Sequence, residues 1–175
     1  MELRLVGSEM CIRDSLSRLD LSGLNLIGAN LTGVDLTGTN LTVAILQAAN
    51  LTRANLEGAN LTGVILTGAI LSEAILSEAN LRWANLTEAI LTGANLEGAN
   101  FRGAILTEAN FTEANFTEAN LEGTNLTRAN FRGANFRGAD LAYANFEGAD
   151  LTGANFRQNQ NIDKAINLVL PNEKQ

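Results

Sequence analysis

The chain has 175 residues, 46% of them apolar, with a formal charge of −7, one Cys and no His. That is one domain's worth of chain with enough apolar content for a core. The missing histidines and lone cysteine exclude a disulfide framework, a zinc cluster and imidazole acid–base chemistry, and the acidic balance argues against direct nucleic-acid binding.

Residues 1–15 share nothing with the rest of the chain. Their core, "LVGSEMCIRDS", resembles the translation of a sequencing-library adapter, the kind of non-native segment excluded from fold reasoning. On that reading Met10 and Cys11 carry no functional information, and further repeats or another domain can precede the chain. No apolar run is long enough to span a bilayer and no apolar signal region opens the chain, so a cytoplasmic protein is expected.

Residues 16–158 form the repetitive domain. From Leu19 to Gln158 the chain divides into five-residue units such as "ANLTG", "ANLEG" and "ANFRG", each centred on a Leu or Phe anchor; all seven Phe are anchors. A helix turns about 100° per residue, so a period of five would smear the anchors around every face. Small residue, Asn and anchor instead alternate in, out and in like a strand, and the two residues after them make a corner. Gly at the second corner position suits a type II turn, which needs positive φ there. Four such units make a squared 20-residue coil, and coils stack about 4.8 Å apart. The predicted architecture is an all-β solenoid of about seven four-sided coils, stabilised by neighbouring units because no unit buries its own face.

The tandem A-(N/D)-L-x-x units resemble the pentapeptide-repeat family. The resemblance implies a right-handed quadrilateral β-helix, and a bacterial source is expected with it. Ser residues without a His or Lys partner in the repeats and carboxylates on an exposed convex shaft argue for no catalytic residues, metal or cofactor. Residues 159–175 depart from the pattern. In "NIDKAINLVLP" the residues Ile162, Ala165, Ile166 and Val169 recur at helical spacing, with Asn161 as N-cap and Pro171 as stop, so a short amphipathic cap helix is predicted. Such a cap either covers the end of the solenoid or, as in similar proteins, forms a homodimer.

Positions 20 apart lie above one another, which sorts the outward residue of each unit onto four faces. One face is wholly polar, from Asp20 through Asn80 to Asp140. The next carries Ile45, Ile65 and Ile105, the third Ile70 and Ile90, the fourth Ile75, and the corner leading into the second carries Val43, Trp83 and Tyr143. Ile45, Ile65, Ile70, Trp83, Ile90 and Ile105 are therefore a candidate apolar docking surface for an unidentified protein partner or a second copy. The opposing reading is ordinary scatter of single exposed apolar residues. Glu73, Glu78, Glu88, Glu108, Glu113 and Glu118 make a candidate acidic surface. Relatives that protect or inhibit DNA gyrase look like B-DNA in size and charge, so the resemblance also admits a DNA mimic directed at a type II topoisomerase. The leading expectation is a non-catalytic protein-interaction or scaffold module.

Overall fold

The computed structural model describes residues 15–170. The candidate adapter segment, with Met10 and Cys11, therefore lies outside the described residues apart from Ser15, and so does the expected stop at Pro171.

Parallel bridges join each outward residue to the one 20 positions on, from Asp20↔Asn40 to Asn135↔Asn155. This register makes the coil four-sided, and each side is so short that one residue carries its bridge. The first anchor is Leu16, one unit earlier than the repeat starting at Leu19: it is buried and its N–H donates to Asp35 O. Every anchor from Leu31 to Leu151 is buried. Leu fills the early coils, and Phe ladders fill the later ones, with Phe111 on Phe131 and Phe116 on Phe136 on Phe156 stacked 4.9–5.2 Å apart. Ala lines the inner column beside the anchors; the two Thr that replace it, Thr39 and Thr124, are buried with their hydroxyls donating to Leu16 O and Leu121 O.

The backbone donors of one unit explain the five-residue period. In the unit around Leu31, the Leu31 N–H donates to Asn50 O and the Gly33 N–H to Thr52 O, both on the next coil, while Val34 N–H closes the corner on Leu31 O. Asn50 N–H donates back to Ala29 O. The remaining donor, at the first corner residue, has no backbone acceptor: Thr32 N–H and hydroxyl both donate to Asn30 Oδ1. The Asn before each anchor is thus the corner's fastener, an Asx turn.

The C-terminal segment is not the amphipathic helix predicted from its spacing. Among the described residues only one 3₁₀ turn forms, Ile162–Lys164, and Asn161 is left-handed (φ 53°) without a side-chain capping bond. The chain instead stays on the solenoid. Gln160 bridges Asp140, Ile166 bridges Asn145, and Phe146 N–H donates to Ile166 O. The open edge of the last coil offers unpaired backbone groups, whereas a helix this short is marginal alone. Ile162, Ala165 and Leu168 pack on the core, while Ile166 and Val169 are exposed. Asn159 takes the inner position that Ala holds elsewhere, and its amide donates to Phe136 O and Ala139 O.

Candidate interaction surface

Corner geometry decides what the surface displays. From Arg18 to Gln158 every second corner residue has φ between +51° and +72°. An L-residue there costs roughly 1–2 kcal/mol relative to its ordinary wells, and a β-branched one is a strong outlier. Gly holds about half of these positions; Arg, Glu, Ala and Gln hold most of the others. The three bulky hydrophobic exceptions are Val43, Trp83 and Tyr143, and all three sit on one of the four corners. They are exposed at 58%, 62% and 58%.

For Trp83 and Val43, room is built one coil on. The Trp83 ring lies across Gly103, where any Cβ would overlap it, and Val43 Cγ1 sits 3.3 Å from where a Cβ on Gly63 would stand. Beside this corner runs the column Ile45, Ile65, Asn85 and Ile105. Ile65 and Ile105 are exposed and Ile45 is partly buried. Around the next corner Ile70 bridges Ile90, both exposed. Ile75 lies a face further, between Asn55 and Asn95.

These isoleucines forgo the fastener. Every Asn or Asp from Asp20 to Asn155 that precedes an anchor accepts the N–H two residues on, as Asn85 does from Thr87 and Asn110 from Thr112. At Ile65, Ile70, Ile90 and Ile105 there is no such acceptor for Thr67, Ser72, Thr92 and Thr107. The sequence signal for this role was visible in the "NLT" and "NFT" strings, where Thr adds its hydroxyl to the same Oδ1.

The acidic residues divide between three successive corners: Glu88 with Glu108, Glu73 with Glu113, and Glu78 with Glu118. Glu73 is bound by Arg53 at 2.8 Å and Glu108 by Arg128 at 3.3 Å, both solvent-exposed pairs. The hydrogen bond from Arg53, and then its charge, hold the Glu73 carboxyl below the ordinary range. Glu78, Glu88, Glu113 and Glu118 form no ion pair among the described residues. Asp35 and Asp150 are also held low, first by the hydroxyls of Thr37 and Thr152 and then by their N–H groups. No group of three or more acidic, Cys or His side chains able to hold a metal occurs among the described residues, and none of their helices is long and apolar enough to cross a membrane.

A family model described as pentapeptide repeats (8 copies) matches residues 15–53, 44–82, 54–93, 79–118, 94–133 and 119–158. The chain belongs to the pentapeptide-repeat family. Among solved structures it is similar to HetL, a pentapeptide repeat protein involved in heterocyst differentiation regulation in the cyanobacterium Nostoc sp. strain PCC 7120. The identity is 31% over 83% of this chain and 86% of that one, with a TM-score of 0.43. A thylakoid-lumen pentapeptide repeat protein of Arabidopsis thaliana, AT2G44920, is 36% identical over 56% of this chain and 65% of that one, with a TM-score of 0.46. The plasmid-mediated fluoroquinolone resistance protein QnrB1 is 20% identical over 88% and 92%, with a TM-score of 0.49. No curated protein matches the chain. Within the pentapeptide-repeat shaft the anchors from Leu31 to Leu151 are buried and the Asn fasteners close the corners, whereas the outward Ile, the bulky corner residues and the charges vary from unit to unit.

Proposed function

We propose that this pentapeptide-repeat solenoid is a non-catalytic, cytoplasmic protein-interaction or scaffold module, and that it binds through the edge formed by Trp83 and the Ile45/Ile65/Ile105 column. One observation carries the reading: two separate local costs coincide on this edge. Val43, Trp83 and Tyr143 occupy positive-φ positions that suit Gly, and the neighbouring isoleucines omit a corner hydrogen bond. The fold needs positive φ at every such corner but not a bulky hydrophobic side chain on it, and among the described residues these side chains occur at this corner alone. A local cost that the fold does not require is a pointer to function. Fully burying one Ile contributes roughly 1.5–3 kcal/mol, so a partner covering several would bind even after the cost of association. The test is affinity capture from the source cells with wild-type protein and with Ile65→Asn/Trp83→Gly. The variant should fold normally and lose specific partners; recovery of the same partners by both would reject the edge.

A second reading, a DNA mimic acting on a type II topoisomerase, has one observation in its favour. Residues 54–123 hold nine Glu against two Arg, a net of −7, over 3.5 coils or about 17 Å. B-DNA carries about ten charges over that length. Since the whole chain is also −7, the remainder sums to zero, and the likeness to DNA is confined to a central band. Unchanged gyrase supercoiling at micromolar protein would remove this reading. A homodimer through the C-terminal end or the apolar face is compatible with both.

A further inference from the structure

The apolar edge does not end at its own face. Turning the corner past Ile65 and Ile105, the surface rises to Glu88 and Glu108 and then falls to Ile70 and Ile90. The register puts Glu88 level with Ile90 on one coil and Glu108 directly above Glu88 on the next. All six side chains are exposed. Glu88 has no cation among the described residues, and Glu108 shares only the exposed Arg128 contact at 3.3 Å. Such a surface pair contributes little and exchanges readily for another cation. The corner is thus a convex acidic ridge flanked on one side by Ile65 and Ile105, with Asn85 between them, and on the other by the adjacent pair Ile70 and Ile90, with Asn110 beyond.

The geometry points to a cationic, amphipathic segment of a partner protein as the occupant of this corner: Lys or Arg over Glu88 and Glu108, with apolar side chains on Ile65/Ile105 and Ile70/Ile90. Charge complementarity selects this occupant. A second copy docked through the same corner would set Glu88 and Glu108 against their own counterparts, and like charges brought together at an interface oppose association. A purely polar cation would leave the four isoleucines uncovered, and an acidic or neutral apolar segment would leave Glu88 without a counter-charge. The inference rests on the interaction reading above and names the chemistry of its partner.

The test uses the full chain and three labelled twelve-residue peptides, built from Lys and Leu, Lys and Ser, and Glu and Leu. Anisotropy reports binding. The emission of Trp83, the only Trp, reports occupancy of the adjoining edge. The Lys–Leu peptide is expected to bind at least tenfold more tightly than either other peptide. Glu88→Gln/Glu108→Gln and Ile70→Asn/Ile90→Asn should each weaken it about tenfold, while Glu57→Gln/Glu97→Gln, on a different corner, should leave it unchanged. Equal binding of the Lys–Ser peptide, or equal loss with the remote glutamine pair, would reduce the effect to bulk charge and overturn the inference. Tight binding of the Glu–Leu peptide with a Trp83 shift would overturn the cationic partner while keeping the interaction edge. Absence of binding by every peptide, without a Trp83 shift, would count against both. A concentration-dependent dimer lost in Ile70→Asn/Ile90→Asn would assign the corner to a second copy instead.

Discussion

Two faces of the same shaft have the same backbone and opposite outward chemistry. On the face running from Asn95 through Asn115 and Asn135 to Asn155, the amides of Asn115, Asn135 and Asn155 each donate to the Asn Oδ1 one coil earlier, at 3.0–3.3 Å. The same Oδ1 atoms of Asn95, Asn115 and Asn135 also accept the corner N–H of Glu97, Thr117 and Arg137, and Asn155 Oδ1 accepts that of Arg157. At Ile65, Ile70, Ile90 and Ile105, on two adjacent faces, the bridges persist while these side-chain bonds are absent, although Asn85 and Asn110 on the same faces keep their corner bonds. The bridges and buried anchors are therefore sufficient for the coil, and the fastener is a local increment. An outward position freed from fastening can be given to recognition.

Breaking what the two faces share should have the largest effect. Phe116→Ala beneath the Asn ladder is expected to lower stability by about 3–5 kcal/mol, and Leu66→Ala beneath Ile65 by about 2–5 kcal/mol, in denaturant unfolding. Similar losses on both faces would show that the core is indifferent to the outward residue. Next, Asn115→Ala removes the acceptor of Thr117 N–H, Thr117 hydroxyl and Asn135 amide, with an expected loss of about 1–3 kcal/mol.

Substitutions on the other side of the comparison should cost little. Ile70→Asn restores an acceptor for Ser72 N–H, worth about 0.5–1.5 kcal/mol, and gives up a β-branched residue worth up to about 1 kcal/mol, so its net effect is expected near zero. Trp83→Gly relieves a positive-φ side chain and should be neutral or stabilising by about 1 kcal/mol. Thermal melts of the purified variants check both.

The smallest effect is acidic. The folded-state carboxyl of Asp35 is lowered chiefly by the Thr37 hydroxyl, so its contribution is present at neutral pH. It is lost as pH falls below the ordinary aspartate range through the lowered folded value. Asp35→Asn keeps the acceptor without the charge and should flatten that part of a pH–stability curve; an unaltered acid limb would show that the bond does not discriminate the two protonation states.

Much of this architecture was legible in the sequence because one physical rule, a buried anchor every five residues, sets a corner every five residues, and four such corners make the squared coil that the bridges 20 residues apart display. The anchors, the positive-φ corners and the 20-residue columns all stem from it. The role of Asn was not contained in alternation alone, which says only that Asn30 or Asn115 points outward; it needed a tally of backbone donors to show that Thr32 and Thr117 lack any other acceptor. The segment after Arg157 departs from its helical spacing for a related reason. The pattern of Ile162, Ala165 and Ile166 favours a helix in isolation, but the open edge at Asp140 and Asn145 is a tertiary partner that local periodicity does not contain. The candidate surface was legible as columns, whereas the Glu residues, read as one acidic surface, separate onto three corners, and Arg53 and Arg128 engage two of them.

The central claim is that the outward isoleucines serve recognition and are dispensable to the fold. The most direct measurement is the urea unfolding midpoint of Ile65→Asn/Ile70→Asn/Ile90→Asn/Ile105→Asn beside that of the wild type, monitored by circular dichroism. An unchanged or higher midpoint is expected, since four corner bonds are regained. A midpoint lowered by the equivalent of about 2 kcal/mol or more would show that the isoleucines hold the solenoid together, and would contradict the account.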